Sequence, residues 1–137
     1  NLMLEVRFNI LNKYVDKFIV AEAKYSHSGE KKKLNFDINK FSEFKKKIIY
    51  IAIDNEPDDI VYQKKGDYEF EKKEDMRTNS IKRIAHQRNK IMDYLNEAND
   101  EDFIFYSDND EIPNLENLNF DNIQNKIVIF KQKLLKL

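Results

Sequence analysis

The chain has no cysteine, two glycines, two prolines and two histidines among its 137 residues, and each shortage removes a chemistry. Without cysteine there is no disulfide and no thiolate nucleophile, a composition that fits a reducing compartment. Two glycines exclude a Gly-rich phosphate loop of the Walker or dinucleotide kind. Two histidines argue against a His-based zinc site. No apolar run approaches the roughly 20 residues needed to span a bilayer. Glu5 and Arg7 interrupt the beginning of the chain, so it does not read as a signal peptide. These features lead to the expectation of a cytoplasmic protein with no membrane span. The net charge of −1 provides no global field for nucleic acid, so no nucleic-acid partner is expected.

What remains is a charged, foldable composition: 36% charged and 41% hydrophobic residues, with length for one domain and a real core. Charge is unevenly placed. Between Ile91 and Asn125 there are ten acidic residues and no Lys or Arg; between Glu30 and Lys47 there are seven lysines against three acids. Solvated faces account for most such runs, but an acidic run also suits a cation site and a lysine run an anionic partner. The chain opens at Asn1 inside a helical pattern and closes at Leu137 inside an apolar run. It is therefore expected to be a single partial domain over 1–137, cut at both ends.

Periodicity predicts a helix over 2–15, with Met3, Val6, Ile10 and Tyr14 on one stripe and Leu4, Phe8, Leu11 and Val15 on the next. A short buried strand is predicted within Lys17–Ala23, with Glu22 at its end. A helix capped by Asn39 is predicted over Lys40–Lys47, and a β-branched strand over Ile48–Asp54. Asn55–Met76, with Pro57, Gly66 and mixed charge, reads as a long loop. Thr78, Asn79 and Ser80 offer N-caps for a helix reaching about Asn99. Its apolar stripe is Ile81, Ile84, Ala85, Ile91, Met92, Leu95 and Ala98, with Arg88 as a charged intruder. Such an arginine either snorkels at the edge of the face or reaches toward an anion. Residues 115–125 read as irregular or as a short helix, and a last strand is predicted from Ile127 toward Leu137. Strands alternating with helices imply an α/β class with a mostly parallel sheet.

The stretch Asp102–Pro113 carries the chemistry. Phe103-Ile104-Phe105-Tyr106 reads as a strand buried on both faces. Pro113 ends any pairing, so Asp108 and Asp110 fall at the carboxyl end of a central strand, where open α/β sheets bind ligands. Two carboxylates so close repel unless a cation or proton lies between them. Mg²⁺ and similar hard cations take one or two carboxylates together with substrate phosphates. An Asp-x-Asp alone is a weak signal, common in solvated acidic turns.

Four segments, in order, give that signal context. Leu4-Glu5-Val6-Arg7-Phe8-Asn9 resembles the leading "LEIRLN" helix of glycosyltransferase family 17, the β-1,4-mannosyl-glycoprotein β-1,4-N-acetylglucosaminyltransferases and their relatives. Phe18-Ile19-Val20-Ala21-Glu22-Ala23, with Ser26-His27-Ser28-Gly29 and Lys31-Lys32-Lys33-Leu34, resembles the family's "FVIVEA…THSGKPKPL". Gln87-Arg88-Asn89 resembles its "QRN", and Ser107-Asp108-Asn109-Asp110-Glu111-Ile112-Pro113 its "SDVDEIP". Two departures stand out: His86 replaces the usual aromatic before "QRN", and lysines replace the prolines of the loop.

The resemblance implies a GT-A fold, a Rossmann-like α/β sheet of which this chain is the N-terminal nucleotide-binding part. It implies an inverting transferase that moves a sugar, N-acetylglucosamine by analogy, from a UDP-sugar donor to a glycan or other hydroxyl acceptor, with Mn²⁺ or Mg²⁺. Asp110 then holds the metal, and Asp108 the metal or the ribose. Arg88 and Asn89 hold the diphosphate or position the strand-end loop. Glu22 hydrogen-bonds the nucleoside or caps a loop, and His27 faces the nucleotide or braces its own loop. Glu111 is a candidate base or an orienting partner for the ligating carboxylates. Two alternatives remain: a donor-binding fragment without turnover, and a Mg²⁺-dependent phosphohydrolase using Asp108 and Asp110.

Overall fold

The computed structural model describes residues 2–62 and 68–131. They form two compact units, one built from residues 2–16 and 103–131 and the other from Lys17–Asp102. Helices and a small parallel sheet place the chain in the α/β class.

In the Lys17–Asp102 unit, strand β1 (Phe18–Ala23) pairs in parallel with β2 (Ile48–Ile53), from Phe18 opposite Ile48 to Ala23 opposite Ile53. Both are short β-branched runs, and both lie within a residue or two of the predicted segments. Parallel strands need a long crossover. Here it carries a short 3-10 segment, Ile38–Phe44, kinked at Phe41, where an α-helix over Lys40–Lys47 was expected. The cap is Asp37, whose carboxylate accepts the Asn39 N–H at 3.0 Å, and not Asn39 itself. The kink lets Phe41 and Phe44 both turn inward. Phe44 meets Phe18 edge-on, while Phe41 stacks on Phe36, which in turn leans on Tyr50. Ala23, Tyr25, Ile51 and Ile53 form a buried cluster on the strands. Burying each such large side chain contributes about 1.5–3 kcal/mol.

Helix α2 (Glu69–Lys90) starts nine residues before the predicted caps, inside the expected long loop. Its first turn is rich in helix formers. Glu71 accepts the Tyr68 N–H at 3.0 Å, and Glu69 and Glu71 oppose the positive end of the helix dipole. Residues 63–67, including Gly66, lie outside the described residues. Asn79 is no cap: its amide accepts from the Val61 N–H at 3.0 Å and donates to the Val61 carbonyl at 2.7 Å. The α-helix ends at Lys90, and Met92–Tyr94 continues as 3-10, short of the predicted Asn99.

The inward face of α2 is also a correction. Asn79 and Arg83 are its buried residues, while Ile81, Ala85 and Arg88 are exposed. A two-stranded sheet leaves backbone groups unpaired at its edges, and those groups must find donors or acceptors. The helix supplies one such donor, Gln87 to the Ala21 carbonyl at 3.2 Å, and Arg83 donates to the His27 carbonyl of the loop after β1 at 3.2 Å. Lys82 donates to the Asp59 carbonyl and pairs with the Asp59 carboxylate. Polar side chains that meet backbone groups thus share the inward side with Ile84 and Ile91, half-buried members of the predicted stripe.

In the other unit, helix α1 (Leu2–Leu11) buries Phe8 and Leu11. Of the two predicted stripes only the one through Leu4, Phe8 and Leu11 turns in; Met3, Val6 and Ile10 stay exposed. Pro113 and Leu115 are also buried in this unit. Phe103–Tyr106 is not a strand, and neither is Ile127–Phe130. Residues 132–137, the remainder of that last expected strand, lie outside the described residues. A strand needs a ladder partner, and among the described residues of this unit there is none. Phe103 and Phe105 pack on Phe120 instead, and Phe105 also on Phe130, while Ile104 and Tyr106 are exposed. Asp108 and Asp110 therefore sit on a turn after an extended segment and not at the end of a sheet strand. Among the described residues no helix is long and apolar enough to cross a membrane.

Candidate functional site

The Ser107–Glu111 turn closes on itself. The Glu111 N–H donates to the Asp108 carbonyl at 3.1 Å, and the Asp108 N–H donates to the Glu111 carboxylate at 3.2 Å. The Ser107 hydroxyl donates to the Glu111 carbonyl at 2.9 Å. Arg7, from the middle of α1, joins the same turn. Its Nη1 donates to the Asp108 carbonyl at 3.0 Å and to the Glu111 carbonyl at 2.8 Å, and its Nη2 to Ser107 Oγ at 2.8 Å. Burial lowers the pKa of this arginine, and the neighbouring Glu111 charge works against that shift. Arginine stays protonated regardless. Arg7 was not singled out from the sequence as a site residue, although its segment carried the family resemblance. No local pattern connects positions a hundred residues apart.

The carboxylates of Asp108 and Asp110 are exposed and have no hydrogen-bond or ion-pair partner among the described residues. Glu111 differs, because its carboxylate is engaged by the turn. Among the described residues no three His, Asp or Glu side chains gather into a metal-binding group. A hard cation shared with substrate phosphates does not require three, since one or two protein carboxylates suffice. Two unpartnered carboxylates on one turn fit that requirement.

The remaining candidates, Glu22, His27, Arg88 and Asn89, belong to the Lys17–Asp102 unit. Glu22 is surrounded by donors: the Asn35 N–H at 2.9 Å, the Phe36 N–H at 3.0 Å, Lys32 Nζ at 3.1 Å and the Tyr50 hydroxyl at 3.2 Å. Burial alone would raise its pKa, but the Asn35 and Phe36 amides and Lys32 together hold it below the ordinary carboxylate value. This is the geometry of a loop brace that ties the segment after the lysine run to the strands. A folded-state pKa below the unfolded one stabilises the protein above the ordinary value of 4.5. The contribution is lost as pH falls through the lowered folded value. Glu22→Gln is expected to cost about 2 kcal/mol at pH 7, the range for hydrogen bonds to a charged group. In urea denaturation the gap from wild type should narrow as pH falls from 7 toward 3. A gap independent of pH would mean that the charge of Glu22 is irrelevant to the brace.

The Ser26–Gly29 turn is fixed by Arg83. The Arg83 guanidinium pairs with Glu56 at 2.5 Å and donates to the His27 carbonyl. Gly29 has φ +92°, and a Cβ there would lie 2.5 Å from Arg83 Nη2. Glycine is required twice over, for its backbone and for the space. The Tyr25 hydroxyl is buried here without a hydrogen-bond partner among the described residues; burial raises its pKa, and the Glu56 charge adds to that. His27 is exposed, and with Ser26, Ser28, Met76, Arg77 and Ser80 it lines an open hollow. Its carbonyl braces the loop while its ring remains available. Arg88 and Asn89 are exposed in the last turn of α2. The sequence reading placed Arg88 on the apolar stripe, snorkelling at its edge or reaching toward an anion; the structure leaves Arg88 exposed and buries Arg83. A charge at the i+4 position from a buried Asn, and a glycine able to approach it, were the signals available.

Residues 2–129 match the profile of glycosyltransferase family 17. The chain belongs to that family. No curated protein and no solved structure matches it. Membership in family 17 makes glycosyl transfer its chemistry, with a sugar donor and an acceptor as its partners. The match takes in Arg7, Glu22, His27, Arg83, Arg88, Asp108 and Asp110 together.

Proposed function

We propose that this family 17 chain is the nucleotide-sugar-binding part of a metal-dependent, inverting glycosyltransferase of the GT-A type. Its donor is a UDP-sugar, with UDP-N-acetylglucosamine the first to test, and its acceptor is a glycan or other hydroxyl compound. The observation that carries this reading is the pair of exposed carboxylates, Asp108 and Asp110, without a partner among the described residues, on a turn whose Asp108 and Glu111 carbonyls are engaged. Asp110 and Asp108 would hold Mn²⁺ or Mg²⁺, which when bound would neutralise the leaving diphosphate as a Lewis acid. Within the Lys17–Asp102 unit, the exposed Arg88, Asn89 and His27 are the candidates for donor contact, and Glu22 holds the loop that follows β1. Calorimetric titration of UDP-N-acetylglucosamine with and without Mn²⁺ tests the reading. Binding that requires the metal supports it, and no binding in either condition ends it.

A second reading, a donor-binding module without turnover, is favoured by one observation. Glu111, the carboxylate nominated as base, is hydrogen-bonded to the Asp108 amide. Release of UDP in the presence of acceptor separates the two readings.

Arg88 offers a further check. As an exposed residue it has little to contribute to the core, so Arg88→Met should leave stability within about 0.5 kcal/mol. If it contacts the diphosphate, the same change should weaken Mn²⁺-dependent donor binding by about 1–3 kcal/mol. Unaltered donor affinity would take Arg88 off the site.

A further inference from the structure

The two carbonyls at the rim of the Asp108–Asp110 turn are saturated. A carbonyl oxygen has two lone pairs. The Asp108 carbonyl accepts from Arg7 Nη1 and from the Glu111 amide; the Glu111 carbonyl accepts from the same Nη1 and from the Ser107 hydroxyl. Ser107 Oγ, in turn, accepts from Arg7 Nη2. One planar guanidinium therefore takes up backbone oxygens that would otherwise compete for a cation, and it fixes the turn from which both carboxylates project. We propose that Arg7 is the positioning residue of this turn: it holds Ser107, Asp108 and Glu111 in place so that the Asp108 and Asp110 carboxylates are the oxygens left to bind a cation and the donor it carries.

The role follows from shape as well as charge. The guanidinium reaches three acceptors at 2.8–3.0 Å with two of its nitrogens. The ammonium of lysine is a compact point charge on a flexible stem and has no such fork.

The proposal rests on the donor reading above, and its test keeps the two separate. Arg7→Met, Arg7→Lys and Ser107→Ala are compared with wild type by amide hydrogen exchange and by Mn²⁺-dependent UDP titration. In Arg7→Met the Asp108 and Glu111 amides should exchange at least ten times faster, with β1 and α2 unchanged, and UDP affinity with Mn²⁺ should fall at least tenfold. Arg7→Lys should recover part of that affinity. Ser107→Ala, which leaves α1 untouched, should move both readouts in the same direction by less, and it decides the matter if Arg7→Met does not fold. Unchanged exchange at the two amides overturns the proposal. So does accelerated exchange with UDP affinity within twofold of wild type. If wild type binds no UDP with Mn²⁺, the donor reading fails, and the exchange of the two amides still decides whether Arg7 orders the turn.

Discussion

Asp110→Ala is expected to abolish Mn²⁺-dependent donor binding and to leave the fold intact. The carboxylate is exposed and makes no internal bond among the described residues, so its removal costs no packing and breaks no network. Its absence also relieves repulsion within the acidic turn. Thermal stability in metal-free buffer should therefore be unchanged or slightly higher. A site with two protein ligands cannot lose one cheaply. The expected loss is at least about a hundredfold in affinity, or roughly 2.8 kcal/mol at 1.4 kcal/mol per decade. Asp110→Asn, which keeps the shape and removes the charge, should behave almost as badly, because a hard cation needs the anionic oxygen. Calorimetry with UDP and Mn²⁺, set beside a thermal melt of the same samples, measures both halves. Binding that survives either substitution would remove the metal from this turn.

Glu56→Ala is expected to produce the largest loss of stability among the substitutions considered. Arg83 is buried, and Glu56 is its carboxylate partner. Removing that partner leaves an uncompensated charge inside the protein, which typically costs about 3–5 kcal/mol. Glu56 is partly accessible, so water recovers some of the loss and the lower end, about 3 kcal/mol, is expected. At about 3–5 °C per kcal/mol for a chain of this size, the melting temperature should fall by roughly 10 °C. Arg83→Met together with Glu56→Ala should be less harmful than Glu56→Ala alone, because an apolar replacement does not strand a charge. Gly29→Ala should act on the same assembly. A positive φ costs an alanine about 1–2 kcal/mol, and the new Cβ must push an arginine held at Glu56 and at the His27 carbonyl. Urea denaturation of the single and double variants gives the coupling between Arg83 and Glu56. A double variant no better than Glu56→Ala would show that the pair is not the source of the loss.

An exposed residue proposed as a donor contact, such as Arg88, should show its effect in donor affinity more than in stability. Residues tied to backbone, such as Glu22 and Arg83, have the opposite signature. This separation gives the variants above their diagnostic value. A substitution that lowers both stability and donor affinity reports on a brace, and one that lowers affinity alone reports on contact.

The two paired strands were legible because short β-branched runs have few other ways to bury themselves. Phe18–Ala23 and Ile48–Ile53 needed no tertiary information beyond a partner, and they found each other. Helix α1 was legible from its period, whereas the Asp108–Asp110 pair, a weak signal alone, drew notice only through the family segments around it. The order of the four family segments was equally a property of the sequence, and it led to the family before any fold was known.

Tertiary structure decided the rest. Local pattern reports which residues prefer to be buried, whereas packing also has to satisfy every backbone group left without a partner. Phe103–Tyr106 has the composition of a central strand, but among the described residues of its unit no strand pairs with it, and its aromatics pack on Phe120 and Phe130. Helix α2 carries an apolar stripe, yet it turns Asn79, Arg83 and Gln87 toward the carbonyls and amides of Val61, His27 and Ala21. Arg7 meets the acidic turn from a hundred residues away. The sequence by itself determined the family, through four segments in order, and named the residues proposed for its chemistry. Which arginine braces a loop, which holds the turn and which stays exposed was determined only when distant backbone oxygens came within reach of a guanidinium, because a hydrogen bond requires proximity in space and leaves no period along the chain.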